Sequence, residues 1–165
     1  MKKRKVEQSE LPGDLSQSDL VERFIRVNHA GEFGAKRIYE GQLAVLKNTK
    51  DAAVIEHMKE QELHHLETFE KLIVERKVRP TVLHPLWNVA GFALGIGTAL
   101  LGPKAAMACT VAVEEVIDEH YADQAAQLTE DEGELKETIN RFRDEELEHR
   151  DLSLIHISEP TRQWS

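Results

Sequence analysis

Two copies of one pattern constrain this chain more than anything else in it. Glu-x-x-His lies on an apolar helical stripe at Glu62 with His65 and again at Glu146 with His149, and each copy follows, at nearly equal spacing, a lone acid on another such stripe, Glu32 and Glu114. The spacing predicts a helix from Ser18 to about Lys47 that aligns Ile25, Asn28, Glu32, Ala35, Tyr39, Leu43 and Leu46 in steps of three and four. A second helix, which Asp51 can cap, runs to about Lys77 with Ile55, Met58, Glu62, His65, Phe69 and Leu72 on one face. Pro80 and Pro85 then break the helix, and Trp87, Phe92 and several glycines predict a compact apolar connection until Gly102-Pro103 restarts a helix. The third helix, about 103–128, aligns Met107, Val111, Glu114, Ile117, Tyr121, Ala125 and Leu128. After a break near Thr129 to Gly133, the fourth carries Leu135, Ile139, Phe142, Glu146 and His149. Two helical hairpins joined by a long crossover make an all-α, ferritin-like four-helix bundle with both acid sets at mid-core.

Ionised side chains do not remain on core faces without partners, because a buried unpaired charge costs several kcal/mol even after relaxation. Lys and Arg are missing from these stripes at the level of the four glutamates, so the compensating charge must come from outside the protein. Two divalent ions supply it. Carboxylates with one imidazole per metal suit iron or manganese, and Glu-x-x-His puts both ligands on one face, one turn apart. A single Glu-x-x-His is common by chance on charged helices, but two of them, each with its inward Glu, form the ligand pattern of di-iron carboxylate bundles.

Neighbouring residues compete for some of these roles. Glu115 rivals Glu114 as a ligand, and the stripe with Val111 and Tyr121 decides for Glu114. His29 and His64 are near enough to bind a metal, yet both fall off the apolar stripe. Asp118 and His120 lie near the inner edge of the third helix, where they would hydrogen-bond a ligand or form an exposed polar pair. Tyr39 and Tyr121 read as core residues rather than catalysts, and Cys109 as a small core residue.

Composition removes other classes. A formal charge of -9, with the acids spread along the chain, argues against a nucleic-acid partner. A lone cysteine cannot pair within the chain, which fits a reducing compartment. The start, MKKRKVEQSE, carries a basic cluster without the apolar run of a targeting signal. The uncharged stretch from Leu86 to Leu101 would reach about 24 Å as a helix against a bilayer core of about 30 Å, too short to span.

Four segments carry a resemblance to a known family: RVNHAGEFGAKRIYEGQLAVL around Glu32, RPTVLHPLWNVAGFALGIGTALLG in the crossover, MACTVAVEE around Glu114 and FRDEELEH around Glu146. Together they cover most of residues 20 to 150, and the chain resembles the demethoxyubiquinone hydroxylases of ubiquinone biosynthesis. The crossover segment is the most specific of the four, because the metal pattern is shared by many di-iron proteins. The resemblance implies a monooxygenase with two iron ions (Fe2+/Fe3+), molecular oxygen as co-substrate, and a prenylated demethoxyubiquinol whose ring is hydroxylated. It places the metal ligands on Glu32, Glu62, His65, Glu114, Glu146 and His149, the six that the stripes select, with no catalytic residue beyond the metal centre. A polyprenyl substrate lives in a bilayer, so peripheral membrane contact through the segment of Trp87 and Phe92 is expected, as is contact with other ubiquinone-biosynthesis proteins. The expected location is the cytoplasmic side of a bacterial plasma membrane.

The domain reading has three parts: a mobile tail at 1–16, the di-iron domain at 17–151, and 152–165 as a non-native tail that looks like translated sequencing adapter. The family would continue past His149 with further apolar helices, so His149 is expected near a fraying helix end. Two rival functions share parts of the pattern. One is a ferritin-like protein that stores iron or scavenges peroxide, and the other is a bundle whose acids bind no metal.

Overall fold

The computed structural model describes residues 15–158. Five helices account for the architecture: α1 (Gln17–Leu46), α2 (Ala52–Glu75), α3 (His84–Leu100), α4 (Pro103–Gln127) and α5 (Gly133–Ser158), with a 3-10 turn at Glu130–Glu132 before the last. No strand occurs among the described residues. The ends of α1, α2 and α4 and the start of α5 lie within about two residues of the expected positions. The expected tail at 1–16 falls outside the described residues except for Leu15 and Ser16.

Local chemistry sets the ends. The Ser16 hydroxyl accepts the backbone N–H of Asp19 at 3.1 Å and caps α1. Gly102 takes a φ of 112°, which favours glycine, and Pro103 follows in the first turn of α4. Asp51 does not make the expected cap: its own backbone is already helical and its side chain forms no cap hydrogen bond.

The crossover differs from the compact connection expected. Pro85 lies in the first turn of α3, where a missing N–H costs nothing, so it starts a helix rather than breaking one. This helix lies along α1 at very close range. A Cβ on Gly95 would collide with the Ile38 carbonyl, and one on Gly41 with the Phe92 carbonyl, so glycine is what lets the two backbones touch. Gly95→Val is therefore expected to destabilise the protein by about 1–3 kcal/mol, as overpacking does. Gly97→Ala, whose Cβ meets nothing within 4 Å, should leave stability unchanged or slightly raised. Thermal melts of the two variants check this, and equal losses would contradict it.

Two apolar clusters fill the bundle. Phe24, Ile25, Phe69, Tyr121, Ile139 and Phe142 belong to one, and Ala35, Tyr39, Ile55, Met58 and Met107 to the other. On α2, Glu62 and His65 fall between Met58 and Phe69, at the junction of the two.

α5 does not stop near Asp151. It continues unbroken to Ser158, with Ser153 fully buried and its hydroxyl 3.8 Å from the Met58 sulfur. Residues 152–158 of the expected tail are thus helical, while 159–165 fall outside the described residues. His149 lies more than two turns before the end of α5.

Candidate metal centre

All six expected ligands meet. Glu32 comes from α1, Glu62 and His65 from α2, Glu114 from α4, and Glu146 and His149 from α5; each is at most 1% exposed. Their donor atoms form two overlapping groups. Glu32, Glu62, His65 and Glu146 make one, and Glu62, Glu114, Glu146 and His149 the other, with all donors of a group within 4.8 Å of each other. Glu62 and Glu146 belong to both, which is the arrangement of two terminal and two shared carboxylates.

The cage is crossed between hairpins. His65 Nδ1 of the first lies 3.0 Å from Glu146 Oε1 of the second, and His149 Nδ1 of the second lies 3.2 Å from Glu62 Oε1 of the first. Among the described residues, nearly all of the buried side-chain atoms without a hydrogen-bond partner are here: one oxygen of Glu32 and one of Glu114, both oxygens of Glu62 and Glu146, and Nδ1 of both histidines. A buried polar atom left unpaired is costly, and eight converging on one point fit the donors of two metal ions. Lone oxygen and imidazole donors, without sulfur, suit iron or manganese.

Like charges at this density disturb every ionisation. Burial, and then the Glu146 carboxylate, push Glu62 and Glu114 well above the usual carboxylate range. Burial opposes the charge of Glu146 as well, but the rings of His149 and His65 outweigh it and hold its carboxyl below that range. Burial lowers the pKa of His65, yet the Glu146 and Glu32 carboxylates raise it to about 10. Without metal the cage therefore holds protons at neutral pH that a cation must displace. Loading is expected to release protons and to weaken as pH falls. Titration calorimetry in two buffers of different ionisation enthalpy checks this, and buffer-independent heats would contradict it.

A second layer supports the first, and sequence reading missed it. The Tyr39 hydroxyl donates to Glu114 at 2.5 Å, and the Tyr121 hydroxyl donates to Glu32. Both tyrosines are core residues, as expected, but they also orient the terminal carboxylates. His65 Nε2 lies 2.6 Å from Glu145, and His149 Nε2 lies 2.9 Å from the Gln61 side-chain oxygen. Asn28 and Gln124 exchange two hydrogen bonds, and Gln42 donates to Thr110. The signal was available: each lone Glu has a polar residue four before it, a Tyr seven after and a Gln ten after, and every bond joins one copy to the other.

The other candidates separate cleanly. Glu115 and His64 are exposed and outside the cage. Asp118 accepts from Arg143 at 2.5 Å, and His120 is exposed. His29 is buried but faces away from the cage, stacked on His84 with centroids 5.8 Å apart, and burial lowers its pKa.

A cavity of about 660 Å³ opens beside the cage, between α1, α3 and α4. Ile38, Trp87, Leu94, Val113 and Val116 line it, and Glu32 and Tyr121 stand at its inner wall.

Comparison with known proteins supplies the remaining finding. A family described as "Ubiquinone biosynthesis protein COQ7" matches residues 19–165. A 3-demethoxyubiquinol 3-hydroxylase of Rhodospirillum rubrum is 60% identical over 150 residues, covering 90% of this chain and 71% of that protein. A mitochondrial NADPH-dependent 3-demethoxyubiquinone 3-hydroxylase of Dictyostelium discoideum is 56% identical over 92% of this chain and 71% of its own length. The mitochondrial 5-demethoxyubiquinone hydroxylase of Saccharomyces cerevisiae is 44% identical over 87% of this chain and 69% of its own.

Proposed function

Because the chain belongs to the COQ7 family of ubiquinone biosynthesis proteins, we propose that it hydroxylates the ring of a 3-demethoxyubiquinol, with two iron ions in the six-residue cage and molecular oxygen as co-substrate. The observation that carries this reading is the largely apolar cavity that reaches Glu32 and Tyr121, because it brings a ring-sized apolar ligand to the metal cage. Iron storage would use the same cage but gives the cavity no role.

Bound at Glu32, Glu62, His65, Glu114, Glu146 and His149, the irons would supply the activation of oxygen and the transfer of one of its atoms to the ring. The chain's own residues do the rest. Glu62 and Glu146 hold the two positions at a fixed separation, and Tyr39 and Tyr121 fix the terminal carboxylates by hydrogen bonds. Val113, Leu94 and Ile38 exclude water from the approach and orient the ring toward Glu32. Oxygen's second atom leaves as water, which takes two electrons; the name of the Dictyostelium relative points to NADPH as the class of donor.

No helix among the described residues is long and apolar enough to cross a membrane. Leu83, Leu86, Trp87 and Val89 are nonetheless exposed on and just before α3, and Trp87 also lines the cavity. This supports peripheral contact with a bilayer, from which a prenyl tail would enter.

The reading is tested by supplying the iron-loaded chain with oxygen, reductant and demethoxyquinols that differ only in their tails. Conversion of the prenylated compound, with a KM that rises steeply when the tail is removed, is expected. Equal handling of both would remove the role given to the cavity, and conversion of neither would remove the reading.

A further inference from the structure

The two halves of the cage mirror each other in every inner ligand but differ in what stands behind the histidines. With Nδ1 turned to the metal, each imidazole carries its proton on Nε2 and donates it outward. His65 donates to a carboxylate, Glu145, at 2.6 Å, whereas His149 donates to the neutral amide oxygen of Gln61 at 2.9 Å. Glu145 and Gln61 occupy equivalent places, each immediately before the shared glutamate of its helix. The bonds are reciprocal: α5 supplies the partner for the histidine of α2, and α2 the partner for that of α5.

We propose that this pair makes the two metal positions unequal, with Glu145 acting as a positioning residue that gives the His65 position the tighter hold on a divalent cation. The proposal rests on the two-metal reading of the cage. A carboxylate behind an imidazole draws its N–H proton outward, makes Nδ1 a stronger donor and adds negative charge near the metal. An amide oxygen orients the ring equally well but adds no net charge. The position served by Glu32, Glu62, His65 and Glu146 therefore binds the first ion, and the one served by Glu62, Glu114, Glu146 and His149 binds the second. Glu145 is well placed for such a role, because its side chain is 27% exposed and reaches water while His65 is fully buried.

The test is an anaerobic calorimetric titration of the full chain with cobalt(II) alone, on wild type, Glu145→Gln, Gln61→Glu and the exchanged double variant. Two cations repel across shared carboxylates, so two separate steps appear even for equal sites, and the change between variants is what counts. Loss of a supporting partner of this kind typically weakens metal binding by about 10–100-fold. Glu145→Gln should weaken the tight step by that factor and move the weak step little. Gln61→Glu should tighten the weak step and move the tight step little, and the double variant should restore the wild-type pair of constants. A shift of both steps together in either single variant, or a double variant no better than Glu145→Gln, would overturn the proposal as a merely structural effect. A wild-type chain that binds fewer than two cobalt ions would overturn the two-metal reading and this inference with it.

Discussion

Glu62→Leu is expected to abolish both metal positions at once while leaving the metal-free protein as stable as wild type or more so. Glu62 is one of two carboxylates common to both donor groups, so neither position survives its loss with the ligands two ions need. Affinity should fall by more than the roughly 10–100-fold typical of a supporting residue, and hydroxylation with it. Stability moves the other way. Burial and the neighbouring carboxylates oppose ionisation of Glu62, whose oxygens lack hydrogen-bond partners, and replacing it by an apolar group of similar volume removes that poorly partnered buried group. At a free metal concentration of about 100 times Kd, each bound ion contributes about 2.7 kcal/mol, roughly 5–10 °C in Tm for a chain of this size. Wild type should gain such an increment on adding ferrous iron under argon, and Glu62→Leu should gain none. A variant that still melts higher with iron would show that the cage tolerates the loss of a shared ligand.

Gly34→Leu is expected to stop turnover without touching the metal. Gly34 is buried on α1 and lines the cavity, yet a Cβ built there meets nothing within 4 Å, so a larger side chain enters the cavity rather than the core. Leucine also has the better helix propensity, by up to about 1 kcal/mol, so the fold should not weaken. Iron content and Tm should match wild type, while kcat/KM for a prenylated demethoxyquinol falls by about 100-fold or more, as expected when the reacting ring is held away from its productive position. Undiminished kcat/KM would mean that substrate reaches the cage by another route.

What the sequence disclosed, and what it hid, follow from the range of the interactions. Glu32, Glu62, His65, Glu114, Glu146 and His149 were legible because charge on an apolar stripe violates a local rule, and helical periodicity is itself local. The restart of a helix at Gly102-Pro103 was legible for the same reason, whereas the Ser16 cap was not singled out. Glu145 and Gln61 were hidden because their partners lie on another helix, and a polar residue beside a buried one looks like ordinary surface. The α3 helix was misread because its glycines and Pro85 are weak helix signals in isolation. Their meaning depends on the α1 backbone beneath Gly95, which no window of α3 contains. The continuation of α5 past Asp151 was hidden likewise, since Ser153 is buried against Met58 of a distant helix.

A single turnover tests di-iron hydroxylation most directly. The full chain, loaded anaerobically with ferrous iron, is mixed with 3-demethoxyubiquinol and oxygen-18 gas, and the quinol is analysed by mass spectrometry. A hydroxylated ring carrying one oxygen-18 atom is expected, in an amount that follows the fraction of chains holding two irons. Unchanged quinol from fully loaded protein, or a product whose new oxygen comes from water, would contradict it.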